Sequence, residues 1–163
     1  MCIRDRQYPV RVRRTALRRD SGGAGTFRGG LGVEMAIEML TDVTLSVRGD
    51  RILLPPPGVD GGHAGAPGFG RIERVSGVVE QLAPRQSAVR LDTGDVLVIG
   101  TSGGGGLGPP GERPPELVAA DLRDGRVSAD AAAADYGVVV DGRGNVDTGA
   151  TIDRRDALGG GRR

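Results

Sequence analysis

At 163 residues the chain is about one domain long, and 22 basic against 21 acidic residues leave a net charge of +1, which excludes an overall field that steers polyanions. Every basic residue is Arg, consistent with a GC-rich genome, so Schiff-base, P-loop and general-base chemistry built on Lys is excluded. Rings occur only at Tyr8, Phe27, Phe69 and Tyr136, too few and too scattered for a base-stacking platform, and Cys2 has no partner for an internal disulfide. No apolar run approaches the ~20 residues that span a bilayer, and no signal-peptide core comes after Met1, so a cytoplasmic location is expected.

Residues 1–6 (MCIRDR) share no pattern with the rest of the chain and read as a non-native leader. In residues 8–17, Val10 and Val12 alternate with Arg11 and Arg13, the period-two signal of a half-buried strand. The Arg run from Arg11 to Arg19 is read as a solvated strand face rather than a nucleic-acid stripe. Residues 20–32 (DSGGAGTFRGGLG) then break the strand. Six glycines in thirteen residues demand positive φ or close backbone approach.

Residues 33–40 and 43–47 are strand-like, and Thr41-Asp42 between them predicts a hairpin. Pro55, Pro56 and Pro57 remove three backbone donors and lead into a second glycine loop, residues 58–70. Strands resume at 71–75 and 78–82, joined by Ser76-Gly77 as a two-residue hairpin turn. Residues 87–91 and 95–99 come next, across Asp92-Thr93-Gly94, and the unbroken run 96–99 (VLVI) predicts a strand buried on both faces.

A third glycine loop, GTSGGGGLGPPGER, precedes a change of character. Pro114 and Pro115 open a short helix that Gly125 stops. Ser128 caps a second helix, ended by Gly137; residues 138–141 form a short strand; Asp147 caps a last helix that frays over residues 159–163. The fold class is mainly β with a small α-rich C-terminal tail (α+β), an antiparallel, sandwich-like sheet with long glycine loops. The domain reading is a β-rich body over residues 7–111 and short helices and a strand over 112–163.

Gly103, Gly105 and Gly108 spell G-x-G-x-x-G after a strand, but Pro109, Pro110 and Gly111 stand where a dinucleotide fingerprint needs a helix. Two readings of that loop stay open: a nest of amides for an anion, or tight packing against neighbouring backbone. His63, the single histidine, cannot assemble a zinc site with one cysteine. It is either a structural loop residue or part of a shared active-site wall. A Ser–His–Asp set with Asp60 and Ser21 or Ser102 is available, but no spacing supports it. Arg28 is expected to brace its loop by pairing with Asp20; the alternative is that it holds a carboxylate or phosphate. Arg48-Gly49-Asp50 spells an integrin-type tripeptide, which carries no weight where Arg, Gly and Asp are this frequent.

The order of the three loops resembles the late part of the hydantoinase B/oxoprolinase family. DSGGAGTFRGGLG after YPVRV, GVDGGHAGAPG after LLPPPG, and GTSGGGGLGPPGER before LRDGRVSADAAAADYGVVVD carry the likeness, from Tyr8 to Asp141. The resemblance implies the C-terminal part of a B-type subunit of an ATP-dependent enzyme that opens cyclic amides such as 5-oxoproline or hydantoins. Related ketone carboxylases are the alternative, as is a non-catalytic β-rich module docking on an A-type subunit. It implies as partners an A-type, ATP-binding subunit or domain and the N-terminal part of the B-type subunit, with no nucleic acid and no membrane. ATP and a divalent metal are implied for the full complex and neither for this piece, which is expected to be inactive alone. The candidate substrate or interface loop residues are Asp20, Ser21, Gly22, Gly23, Arg28, Asp60, His63, Ser102, Gly103, Gly104, Gly105 and Gly106. No nucleophile, acid, base or metal ligand is assigned among them.

Overall fold

A computed structural model describes residues 8–159; residues 1–7 and 160–163 lie outside them, and with them the expected leader over residues 1–6. The chain forms two compact units interleaved in sequence. One takes the chain up to Leu17, then Gly32–Leu54 and Pro67–Ser102; the other takes Arg18–Leu31, Pro55–Ala66 and Gly103 onward.

The first unit is all antiparallel β. Five strands, β1 (Val10–Leu17), β2 (Val33–Met39), β4 (Phe69–Glu73), β5 (Val79–Gln81) and β7 (Val96–Gly100), form one sheet in the order β1-β2-β7-β4-β5. Strands β3 (Val43–Arg48) and β6 (Arg85–Leu91) form a second, two-stranded sheet. The core is Met39, Ile72, Leu82, Val89, Leu91 and Leu97, with Val43, Leu45 and Val47 of β3 packed against it. Burial of such a side chain contributes about 1.5–3 kcal/mol. The VLVI run lies in the central strand as expected: Val96, Leu97 and Val98 are buried, and only Ile99 reaches solvent.

The Ser76-Gly77 hairpin forms, with Gly77 at φ 85° and the Arg74 amide donating to the Val78 carbonyl. The Thr41-Asp42 hairpin does not. Strand β2 pairs with β1 and β7, and β3 pairs with β6. The connecting groups are committed elsewhere: the Leu40 amide donates to the Pro9 carbonyl, and Asp42 accepts from the amide and hydroxyl of Thr93. Residue 138–141 pairing reduces to one bridge, Val140 with Val146.

Strand β1 is more exposed than its alternation predicts. An irregularity between Val12 and Arg14 shifts the register against β2, and Val12 is half-exposed. An extra residue in a strand turns the residues beyond it toward the other face. The Arg run meets acid on β2: Arg13 grips Glu38 at 2.9 and 3.1 Å, Arg11 joins it at 3.4 Å, and Arg14 pairs with Glu34. Three of the five arginines of the basic stripe are thus neutralised on β2.

A buried carboxylate holds the far end of the sheet. Asp95 accepts from Arg74 at 2.8 Å and from the amides of Asp92 and Val75 at 2.9 and 3.0 Å. Burial works to raise its pKa, but the Arg74 hydrogen bond and the two amides outweigh it and hold the carboxyl below its usual range.

The second unit combines the glycine loops with a 3₁₀ turn at Pro110–Glu112 and three helices: α1 (Pro115–Arg123), α2 (Ala129–Asp135) and α3 (Thr148–Gly159). Pro115 opens α1, and Gly125 at φ 69° lies just past its end. The Ser128 hydroxyl accepts from the Ala131 amide and caps α2, and Asp147 accepts from the Ala150 amide at the start of α3. The helices enclose a core of Ala24, Val118, Val127, Ala132, Tyr136 and Val138.

Candidate functional site: the glycine-loop assembly

All but one of the predicted site residues lie in the second unit; Ser102 ends the first, where it lines a cavity of about 390 Å³ with Leu45, Ile52, Phe69 and Leu97. Within the second unit the three loops run side by side and hydrogen-bond backbone to backbone. The Gly23 amide donates to Gly104 at 2.8 Å and the Gly104 amide to Gly30 at 2.9 Å. His63 donates through its amide to Ala24 at 2.7 Å, while its carbonyl accepts from Gly106 at 2.9 Å. The Gly103 amide donates to Ala66, whose own amide donates to Ser21.

This close approach accounts for most of the loop glycines. Between residues 20 and 32 no glycine has positive φ; the requirement there is room. A Cβ on Gly103 would land on the Ser21 carbonyl oxygen, and one on Gly106 on that of Ala24. Peptide planes at such spacing leave no place for a side chain.

The same bonds decide what the third loop offers a ligand. The amides of Gly103, Gly104, Gly106, Leu107 and Gly108 donate to Ala66, Gly30, His63, Phe27 and Val59 respectively. An anion nest needs consecutive free amides, and this run is committed to its neighbours. Only the Gly105 amide stands outside these bonds, so the third loop presents no two consecutive free amides between Gly103 and Gly108. Nor, among the described residues, does any group of three or more His, Cys, Asp or Glu stand ready for a metal ion. No helix among them is long and apolar enough to cross a membrane.

Side chains complete the assembly. Arg28 does not brace its loop through Asp20. Its Nε donates to Oδ2 of Asp121 on α1 at 3.1 Å, and a second nitrogen donates to the adjacent Gly29 carbonyl at 2.8 Å. Asp20 instead turns through φ 59° and accepts from the Ser128 amide at 2.7 Å, at the head of α2. The separation has a physical cause: a buried carboxylate on a helix offers a desolvated partner for a guanidinium, whereas Asp20 satisfies an otherwise orphaned helix amide. Asp121 is buried and also takes Arg113 at 2.9 Å and Arg126 at 3.5 Å. Arg113 in turn donates to the Thr26 carbonyl, tying the first loop to the start of α1. Tyr136 packs below, its hydroxyl pKa pushed up to about 12 by burial, against the lowering effect of Arg113 and Arg28.

Asp121 and Arg113 were not among the predicted residues. The signal available was the pair of acids in ADLRDGR, of which Asp121 stands on the inward face of α1 with Val118. Ser21 is buried, and its hydroxyl donates to the Arg18 carbonyl at 2.5 Å. His63 is half-exposed, with Nδ1 3.7 Å from Asp135, not Asp60, which is exposed at φ 48°.

The hydantoinase B/oxoprolinase family profile matches residues 3–110. The chain is 38% identical over 155 residues to the caprolactamase subunit beta of Pseudomonas jessenii, covering 92% of this chain and 26% of that subunit. It superposes on the crystal structure of the ATP-dependent caprolactamase from Pseudomonas jessenii with a TM-score of 0.79 at 34% identity, covering 93% of this chain and 27% of that one. The nucleotide-free structure of an acetone carboxylase matches with a TM-score of 0.78 at 22% identity, over 94% of this chain and 25% of that one, a likeness of fold. The chain thus spans about a quarter of the length of these relatives. By both measures, the chain belongs to the hydantoinase B/oxoprolinase family.

Proposed function

We propose that this chain is part of the B-type portion of an ATP-dependent enzyme that opens cyclic amides, and that it supports the reaction by holding shape. The observation that carries this reading is the commitment of the third-loop amides to carbonyls of the other two loops. A loop so spent is a wall that other parts of a larger enzyme can build on; with only the Gly105 amide outside these bonds, it offers no run of donors for an oxyanion or a phosphate. The likeness to an ATP-dependent caprolactamase supports lactams and related cyclic amides as the substrate class. ATP activation and metal chemistry then belong to an A-type partner and to the remaining B-type sequence, and this piece alone is inactive.

Exposed apolar side chains on the outer strands of the sheet support a larger context. Tyr8 and Leu17 flank or lie on β1, while Val75, Val78 and Val79 lie on or beside the β4–β5 hairpin, each more than half exposed. Edge strands with such surface call for cover.

The reading is tested on the complete B-type polypeptide with its A-type partner, supplied in parallel with caprolactam, a hydantoin, 5-oxoproline, or acetone plus bicarbonate. ATP-coupled formation of a ring-opened acid is expected. Carboxylation of the ketone without ring opening would replace this reading with that of a ketone carboxylase.

A further inference from the structure

The two-stranded sheet of the first unit ends on a like-charge pair. Arg48 of β3 and Arg85 of β6 are direct cross-strand partners. Residues so placed project from the same face, with Cα atoms about 5 Å apart, and like charges there oppose each other. Among the described residues neither guanidinium has an ion-pair partner, in contrast to Arg11, Arg13 and Arg14, each of which meets a glutamate.

Both arginines line an open polar hollow of about 540 Å³ with Gln86 and Ser87. Arg51, also without an ion pair among the described residues, lines the adjoining hollow with Arg85, Leu53 and Leu54. Asp50 lines both and is the one carboxylate among these lining residues, so three guanidinium groups stand against one carboxylate. Leu53 and Leu54 are 78% and 77% exposed, the two most exposed large hydrophobic side chains of the described residues.

We infer that the Arg48–Arg85 pair, with Arg51 and the Leu53-Leu54 step, is a docking site for an acidic protein segment in which carboxylates alternate with aliphatic side chains. Charge complementarity selects the carboxylates, since the repulsion across the strand pair is relieved by an anion held between the two planar forks. The leucines select a polypeptide over a free anion, because a phosphate has nothing to bury against them. The site lies wholly within the first unit and stands independently of the catalytic reading above.

Fluorescence anisotropy tests this with four probes: a labelled peptide alternating Glu with Leu, its Gln–Leu and Lys–Leu counterparts, and inorganic phosphate as competitor. The Glu–Leu peptide is expected to bind the unaltered chain in preference to the other two. The double variant R48E/R85E should weaken it about tenfold or more and bind the Lys–Leu peptide instead, which also reports that the variant is folded. With no peptide present, Arg85→Gln should raise Tm by roughly 1–3 °C as the cross-strand repulsion is removed. Equal binding of the Glu–Leu peptide to the chain and to R48E/R85E overturns the site. So does phosphate binding without peptide binding, which marks a small-anion site, or a Tm that falls in R85Q, which marks the pair as structural.

Discussion

Arg28 and Asp121, 93 residues apart, meet at 3.1 Å where the first glycine loop passes α1. Both side chains are largely removed from water, and Asp121 is shared with Arg113 and, at longer range, Arg126. Removing the carboxylate from such a cluster strands two buried guanidinium groups, a loss larger than the value of either ion pair. Asp121→Ala should therefore cost about 3–5 kcal/mol in urea unfolding. Arg28→Lys keeps the charge but loses the fork to Asp121 and Gly29, and a cost of about 1–2 kcal/mol is expected. Equal, sub-kcal effects in both would show that the cluster does not anchor the loop.

Glycine substitutions separate room from conformational freedom. Gly29 and Gly30 are adjacent in one loop, neither with positive φ, but a Cβ on Gly29 meets the Gly104 carbonyl while one on Gly30 meets nothing within 4 Å. Gly29→Ala should cost at least about 3 kcal/mol, and Gly30→Ala should stay within about 0.5 kcal/mol of the parent. Paired thermal melts read the contrast, and similar losses at both positions would argue against close loop packing as the cause.

Asp95 gives the first unit an acid-sensitive anchor. Its folded pKa lies below the unfolded one, so on protonation below the ordinary carboxylate range the unfolded chain binds the proton first. Its contribution is present above about pH 4 and is lost as pH falls through the folded value. Denaturation midpoints taken from pH 6 downward should fall with acid for the parent, with a shallower slope for Asp95→Asn. Parallel slopes would place the acid sensitivity elsewhere.

Ala88 sits at φ 57° in β6, beside the register shift that separates Leu45 from Val47 on β3. A left-handed conformation costs an L-residue roughly 1–2 kcal/mol, more than glycine loses in chain entropy. Ala88→Gly should raise stability by about 0.5–1 kcal/mol, measured by urea unfolding. A loss would mean that the methyl group packs usefully at that bulge.

The features legible in the sequence were local. Ser128, Asp147, Gly125 and the Ser76-Gly77 turn each act within a few residues, and each does what its chemistry indicates. The failures were non-local. Thr41-Asp42 reads as a hairpin turn until Thr93, 51 residues away, takes the Asp42 carboxylate. Arg28 and Asp20 share a loop, yet a desolvated acid on α1 and an orphaned amide at Ser128 compete for them and win. The glycine loops were visible as composition, but that Gly103 serves Ser21 and Gly106 serves Ala24 is a property of how three distant segments thread together. The family likeness rested on the order of those loops, and the mainly antiparallel fold read from the strand pattern is the one found.

The most direct test of the central claim compares this chain alone with the complete B-type polypeptide and its A-type partner, with ATP hydrolysis and ring-opened product from a cyclic amide measured in the same samples. Coupled turnover is predicted for the complete assembly and none for the chain alone, with Gly103→Ala in the assembly lowering turnover through loss of folded protein. Ring opening by the isolated chain would contradict this, since a wall of committed amides would then be an active site.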